Sequence, residues 1–551
     1  MPSQSPPGSI PRSSPLAPFR HDTFRLIWLA SLASNFGGLI QSVGAAWMMT
    51  SISSSVNMVA LVQASTSLPI MLFSLLSGAL ADSFDRRRIM LTAQIFMLVV
   101  SALLTLCAWS GLITPWLLLL FTFLIGCGTA LNNPAWQASV GDMVPREDLP
   151  GAVALNSMGF NITRSVGPAI GGVIVAAAGA AAAFAVNTVS YLAILFALFR
   201  WKRAPALNAL PREPLGRAVG AGLRYVAMSP NILKVLVRGF LFGLSASAIL
   251  ALLPLVARDL VAGGPLTFGV LLGCFGIGAI GGALLSQRLR EVLLGEIVVR
   301  IAFLGFSLSA IIAAVSRSEI LTGLAMLLAG GGWVLALSLF NTTVQLSTPR
   351  WVVARALSLY QTTTFGGIAL GSWLWGSAAE TYGAPTALLL SALVMLAGAA
   401  VGFRYQLPEF KSLDLDPLGS FQEPALELDL KPRSGPIVVM IDYEIDPGDV
   451  EAFLEAMTER RRVRIRDGAG QWTLMRDLEK PRIWTETYHV PTWVEYVRHN
   501  QRRTKDDAAV HDRLRALHRG EGPPSVHRLI ERQTILPHEY EQYKRQVDLP
   551  H

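Results

Sequence analysis

From residue 24 to residue 404 the chain is a succession of apolar stretches, each about the roughly 20 residues that an α-helix needs to cross a bilayer. They fall at about 24–50, 57–80, 89–110, 115–140, 151–177, 181–200, 231–257, 266–286, 297–316, 320–346, 355–378 and 384–404. In hydrocarbon a backbone must pair its own polar groups, so stretches of this kind become helices. Short breaks of Gly, Pro, Ser or charge separate them. The pattern predicts an all-α polytopic membrane domain of twelve transmembrane helices in two six-helix halves.

The halves repeat each other. The loop Gly78-Ala-Leu80-Ala-Asp82-Ser-Phe-Asp85-Arg86-Arg87-Arg88 returns in fainter form 204 residues later at Gly282-Ala-Leu284-Leu-Ser-Gln-Arg288-Leu-Arg290. The same offset links Pro145-Arg146 to Pro349-Arg350, Ala152 to Ala356, Leu155 to Leu359 and Gly167 to Gly371. A parallel repeat in a helical membrane protein points to two bundles that rock around a central site.

Hydrophobic residues make up 52% of the chain and charged ones 15%, too little charge to cover a soluble protein of this size. The net charge of +8 resides largely in alternate loops, which carry Arg86–Arg88, Arg146, Lys202, Arg203, Arg212, Arg217, Arg288, Arg290 and Arg350. The other loops are short and nearly uncharged. By the positive-inside rule the basic loops and both termini are cytoplasmic, which explains the charge through membrane lipid without nucleic acid. Cys107, Cys127 and Cys274 lie in apolar segments and read as packing residues.

The expected organisation is a disordered tail at 1–22, a first bundle at 23–200, a cytoplasmic connector at 201–230 and a second bundle at 231–405. A linker at 406–434, a folded cytoplasmic domain at 435–535 and a tail at 536–551 follow. No apolar core with a cleavage site resembles a signal peptide.

The sequence Gly78-x-Leu80-Ala81-Asp82-x-x-x-Arg86-Arg87 resembles the cytoplasmic signature loop of the major facilitator superfamily. That resemblance implies a latch of Asp82, Arg86 and Arg87, with Asp142 as partner, that holds the outward-facing state. The alternative is a loop that merely anchors. Asp85 stands where the family commonly has Gly, and sequence assigns it no partner. A second motif, Gly167-Pro168-Ala-Ile-Gly171-Gly172, combines a helix-breaking proline with glycines that admit a close neighbour. It resembles the fifth-helix motif of the antiporters in the superfamily and implies export. The alternative is a packing kink.

Arg164 lies about 13 residues into a helix entered from the cytoplasm, near the bilayer midplane at ~1.5 Å per residue. A charge there costs at least ~2.5 kcal/mol and normally faces a cavity or a partner. The first six segments hold no acid at that depth, and the repeat places Ile368 at the equivalent position. Two readings stand: a structural arginine bonded to helix carbonyls and Asn161, or a counter-charge for an anionic substrate. Further candidates for a polar cavity are Asn35, Gln41, Asn132, Asn133, Gln137, Asn341, Gln345 and Gln361, any one of which can equally be helix-packing glue. Arg238, Glu296 and Arg300 sit near helix ends and read as snorkelling. No midplane acid offers itself as a proton carrier; Asp22, Asp82 and Asp142 are peripheral.

Within the superfamily the chain resembles the enterobactin-exporter-like group of transmembrane secretion effectors over roughly residues 19–405. The matching residues are Phe24-Arg25-Leu26-Ile-Trp28 through Asn35-Phe-Gly37, Asn132-Asn133-Pro134-Ala135-Trp136-Gln137, Leu155-Asn156-Ser157 and Asn161-Ile-Thr-Arg164-Ser-Val-Gly167-Pro168. The resemblance implies efflux of a small siderophore- or drug-like molecule from a bacterial inner membrane.

Downstream, Ile437–Ile445 reads as a strand and Pro447–Arg464 as a helix capped by Asp446. Strands at Gln471–Arg476 and Ile483–Val490, helices at about 491–501 and 504–518, and a strand near Ser525–Ile530 complete the order β-α-β-β-α-β. This resembles a ferredoxin-like α+β domain of the dimeric barrel type found in small monooxygenases. His489, His499, His511 and His518 lack metal-ligand spacing, and the run Arg460-Arg461-Arg462-x-Arg464-x-Arg466 reads as a solvated face, with anionic lipid as an alternative contact. Regulation or self-association is expected of this domain.

The expectation is therefore a non-enzymatic secondary transporter without cofactor, metal or catalytic residues. It would export by alternating access driven by an ion gradient rather than ATP, since no nucleotide-binding Gly-rich loop with its lysine is present, and H+ is the expected coupling ion. The alternative is a membrane-anchored enzyme or sensor acting through the C-terminal domain.

Overall fold

The computed structural model describes residues 16–145, 147–201, 215–349, 351–407, nine scattered positions within 408–430, and 431–531, without the side chains of 81–83, 150, 161, 215, 217, 218, 287 and 506. Residues 1–15 of the expected tail, Arg146, Arg350, connector residues 202–214 and the C-terminal 532–551 lie outside the described residues. The chain forms two compact units, residues 1–347 with 353–411 and residues 348–352 with 412–551.

The first unit is helical: α1 (Asp22–Ile52), α2 (Val56–Ser83), α3 (Arg86–Trp109), α4 (Pro115–Met143), α5 (Leu149–Arg200), α6 (Leu215–Ala227), α7 (Pro230–Leu255), α8 (Pro265–Val292), α9 (Gly295–Val315), α10 (Glu319–Leu346), α11 (Val353–Tyr382) and α12 (Ala384–Arg404). Ten of these, all but α6 and α11, are long and apolar enough to cross a membrane among the described residues. The starts follow local chemistry. Thr114 accepts from Leu117 N ahead of Pro115, and Ser318 accepts from Leu321 N. Asp85, to which the sequence assigns no partner, is the N-cap of α3 and accepts from Arg87 N and Arg88 N.

At 52 residues α5 would be about 78 Å long, far beyond one bilayer. It turns at Gly179, with φ 80° and ψ 171°, a conformation that essentially only glycine adopts. Gly383, the N-cap of α12, has φ 85° and ψ 153°. The two glycines are 204 residues apart, so the sequence repeat is also a repeat of backbone conformation. Packing follows it: α1 lies on α5 as α7 lies on α11, α2 on α4 as α8 on α10, and α3 on α5 as α9 on α12.

Three expectations for this unit change. Residues 17–20 form a 3₁₀ turn with Ala17 and Pro18 buried, and Phe19 packs edge-on to Trp28 at 5.0 Å; the disorder expected there does not extend to these residues. The connector contains an unexpected helix, α6, whose Ala221, Tyr225 and Val226 are buried against neighbours that include α2 and α11. Arg238, Glu296 and Arg300 do not snorkel. Arg238 is 0% exposed and its Nη1 donates to both Glu296 oxygens at 2.7 and 2.6 Å. Arg300 Nε donates to Glu296 at 3.0 Å, and Leu407 N donates to it at 3.2 Å. A buried arginine needs such compensation, and this triad ties α7, α9 and the end of α12 together.

The second unit has β1 (Ile437–Glu444), α13 (Val450–Asp467), β2 (Gly470–Arg476), β3 (Ile483–Val490), α14 (Trp493–Gln501), α15 (Lys505–Leu517) and β4 (Ser525–Ile530). The strands form an antiparallel sheet in the order β2-β3-β1-β4. Alternate residues of β1 (Ile437, Val439, Ile441, Tyr443) pack with Phe453, Met457, Tyr496 and Leu514 from the helices. The helix expected at Pro447–Arg464 begins as a 3₁₀ turn at Pro447–Asp449, Asp446 makes no side-chain cap, and α13 continues to Gly468, where φ is 115°.

The arginine run in α13 is a solvated face only in part: Arg461 and Arg462 are exposed, but the rest turns inward. Arg460 and Arg464, one turn apart, are each 4% exposed and converge on Glu486, itself 0% exposed. Tyr443 and Trp472 donate to the same carboxylate at 3.1 and 3.0 Å. Burial alone would raise the Glu486 pKa, but Arg460 and Arg464 overcome it and hold the group at about 2.

Candidate functional site

The two halves meet along two helix pairs, α2 with α11 and α5 with α8. In the α5–α8 pair the motif at residues 167–172 presents two faces. Gly167 and Gly171 lie against Leu39, Ile40 and Val43 of α1. Gly172 meets the other half: a Cβ there would stand 2.9 Å from the Cα of Gly269 and 2.9 Å from Pro265 O. Pro168 cannot donate to the helix ladder, and its carbonyl lies 2.8 Å from where a Cβ of Gly269 would be. The contact continues to Gly276, whose missing side chain leaves room for the backbone of Arg164 and Ser165.

That approach fixes Arg164. It sits midway along the part of α5 before Gly179 and is half-buried, with its guanidinium 5.6 Å from the ring centres of both Phe275 on α8 and Trp333 on α10. The first half thus supplies a cation and the second an aromatic wall, which Phe242 and Phe306 extend behind Trp333. Among the described residues no carboxylate pairs with Arg164. Nothing along the chain marks Phe275 and Trp333, because large aromatics are common in membrane helices.

The remaining candidates divide. Asn35 on α1 and Asn133 and Gln137 on α4 are exposed, the last two sharing a helix face. One turn beyond Asn35, a Cβ on Gly38 would meet nothing within 4 Å, so that face of α1 borders open space. Gln361 on α11 is half-buried, and Asn341 on α10 accepts from Gln345. Asn132 accepts from Gln94 at 3.3 Å. Gln41 belongs elsewhere: 5% exposed, it accepts from Ser101 at 3.1 Å and Asn187 at 2.5 Å, in a network inside the first half. The Asn161 side chain lies outside the described residues.

At the end with the arginine loops, Arg86 Nη1 donates to Asp142 at 3.2 Å and to Ala138 O at 2.8 Å. Arg87 instead holds Leu198 O and Phe199 O at the end of α5, at 2.8 and 3.1 Å. Gly78 faces the other half, with Ser358 Oγ 3.1 Å from where its Cβ would stand, and Ser74 exchanges a hydrogen bond with Thr362 at 2.8 Å. The Asp82 side chain lies outside the described residues. No group of three His, Cys, Asp or Glu suited to a metal occurs among the described residues.

Two repeated bundles of apolar helices, meeting around half-exposed polar and buried aromatic side chains, define a multi-pass membrane protein of the major facilitator type. Solved structures with this fold include a bacterial homologue of the human lysosomal transporter Spinster in an inward-facing, unoccupied conformation. It has a TM-score of 0.56 and 16% identity, covering 71% of this chain and 97% of that one. The nucleoside transporter NupG gives 0.55 and 13%, covering 70% and 100%. The chain belongs to the transmembrane secretion effector family, which matches residues 13–534. It is 25% identical to a staphyloferrin A transporter of Staphylococcus aureus over 44% of this chain and 62% of that protein, and so spans less than two thirds of that relative. It is 27% identical to an enterobactin exporter of Salmonella choleraesuis over 55% and 72%. It is 24% identical to macrolide efflux protein A of Streptococcus pyogenes over 48% and 65%. The family and these relatives are transporters rather than enzymes.

Proposed function

We propose that the protein is a secondary transporter that exports a small, anionic, siderophore- or drug-like molecule by alternating access, with H+ as the counter-ion. The observation that carries this reading is Arg164, a cation without a carboxylate partner among the described residues, held between the halves against Phe275 and Trp333. An anion entering there gains the guanidinium charge, which the buried Phe275 and Trp333 hold in place, and rocking of the halves would separate the cation from that support. Exposed Asn35, Asn133, Gln137 and half-buried Gln361 supply hydrogen bonds on the same reading. The siderophore and macrolide relatives favour organic cargo over inorganic ions.

Twelve spans follow if α5 is divided at Gly179 and α11, at 30 residues, is counted; the matching backbone of Gly179 and Gly383 supports that count. Both termini and the arginine loops then lie in the cytoplasm of a bacterial inner membrane, and Arg86 with Asp142, together with Gly78, Asp82 and Arg87, forms the latch region. The sheet order β4-β1-β3-β2 supports a ferredoxin-like cytoplasmic domain, to which we assign self-association or regulation.

The test is uptake of labelled anionic and cationic compounds into inverted vesicles with and without a proton gradient. Gradient-dependent anion transport that is lost in Arg164→Ala is expected. Cation transport indifferent to that substitution would overturn the site.

A further inference from the structure

At the end opposite the arginine loops, the halves are joined by a carboxylate. Glu380, near the end of α11, accepts from Ser55 Oγ at 3.0 Å and from Asn57 N at 3.3 Å. Ser55 is the N-cap of α2, its hydroxyl accepting from Met58 N at 3.4 Å. Glu380 therefore caps a helix of the other half, where aligned backbone N–H groups favour a negative charge.

Beneath this cap α11 and α2 pack closely. One turn earlier on α11, a Cβ on Gly376 would stand 2.6 Å from the Ala60 side chain and 2.7 Å from Asn57 Oδ1. Asn57 Oδ1 is buried there with no hydrogen-bond partner among the described residues, a group that water would satisfy if the helices separated. Two further contacts cross between the halves near the end of α1: Arg258 Nη1 donates to Thr50 O at 2.9 Å and Trp47 stacks on Phe268 at 6.4 Å. By contrast, the α5–α8 seam is closed toward this end by Gly172 against Gly269, backbone to backbone.

We infer that Glu380 is the bolt of this end of the transporter: capping α2 from α11 holds the exit closed, and release of the carboxylate from Ser55 and Asn57 accompanies opening. The inference rests on the alternating-access reading and adds a residue that neither the repeat nor the motifs mark. The repeat partner of Glu380 is Ala176, so the bolt exists on one seam only, and the glycine seam is left as the pivot.

Spin labels on Ser54→Cys and Tyr382→Cys, both exposed and beside the bolt, report the opening as a distance distribution in the full chain in lipid nanodiscs, with Cys107, Cys127 and Cys274 replaced by Ser. Loss of a cap shifts such an equilibrium by about two- to thirty-fold, so Glu380→Ala should raise the long-distance population by that factor. Ser55→Ala, which removes one donor, should give a smaller rise and serves if Glu380→Ala does not assemble. Unchanged distributions in both variants would overturn the bolt. Distances that shift while no solute is extruded would retire the export reading and leave the bolt standing.

Discussion

Gly172 of α5 and Gly269 of α8 touch backbone to backbone across the two halves, so the glycine–proline motif at 167–172 is half of an interface whose other half lies in a different bundle. A Cβ on Gly269 would stand 2.7 Å from the Cα of Gly172, and neither backbone can yield without moving a whole helix.

Gly269→Val or Gly172→Val should therefore cut transport at least tenfold while the protein still reaches the membrane, since overpacking costs roughly 1–3 kcal/mol. Gly281→Ala on the same α8 meets open space and should transport normally. Vesicle uptake rates alongside membrane abundance decide this.

Trp333→Leu should weaken substrate binding about two- to thirty-fold, the range for a partly desolvated cation–π contact, through loss of the surface that orients Arg164. Arg164→Lys keeps the charge without the planar fork and should fall between wild type and Arg164→Ala. Concentration dependence of vesicle transport measures both.

Arg238→Met leaves Glu296 buried with Arg300 as its remaining ionic partner, and should destabilise the second half by about 3–5 kcal/mol. Arg238→Met combined with Glu296→Leu removes both charges and should recover much of that loss. Thermal aggregation of the detergent-purified protein distinguishes the two.

In the second unit Glu486 sits at about 2, below the roughly 4.3 expected of an unfolded chain. Its stabilisation is thus complete above about pH 4.3 and fades as the pH falls toward 2. Glu486→Gln should speed hydrogen exchange of β1 and β3 at least tenfold at pH 7, and the difference should shrink near pH 3. Asp467, which burial raises to about 6, acts in the opposite sense, costing stability as the pH climbs through the interval from about 4 to 6.

The helices were legible because apolar length is a property of contiguous residues, and so were the strands, because alternation along β1 and β3 is local. What escaped the sequence was pairing at a distance. Arg238 and Glu296 looked like loose helix ends because nothing along the chain joins positions 58 residues apart. The arginine run in α13 looked solvated, yet Trp484, Glu486, Tyr488 and Val490 share one phase of β3. An acid on that inward phase was the available sign that cations must reach it. Asp85 before α3 carried an N-cap signal that its place in a loop motif obscured. Glu380 had no sequence signal at all, since its partners belong to the other half.

One consequence concerns how the chain is built. α11 carries Thr362-Thr363-Thr364, Gly366-Gly367 and Gly371-Ser372, and it is not among the helices apolar enough to cross on composition alone. Its glycines lie against α7, with the Phe240 carbonyl occupying the place a Gly367 side chain would need, and against Met71 of α2. Such a helix partitions poorly into lipid alone but well into a groove already lined by protein. The ribosome has released α2 and α7 long before α11 emerges, so the order of helices along the message is also an order of assembly: the last interior helix waits for a berth that the first bundle has helped to make.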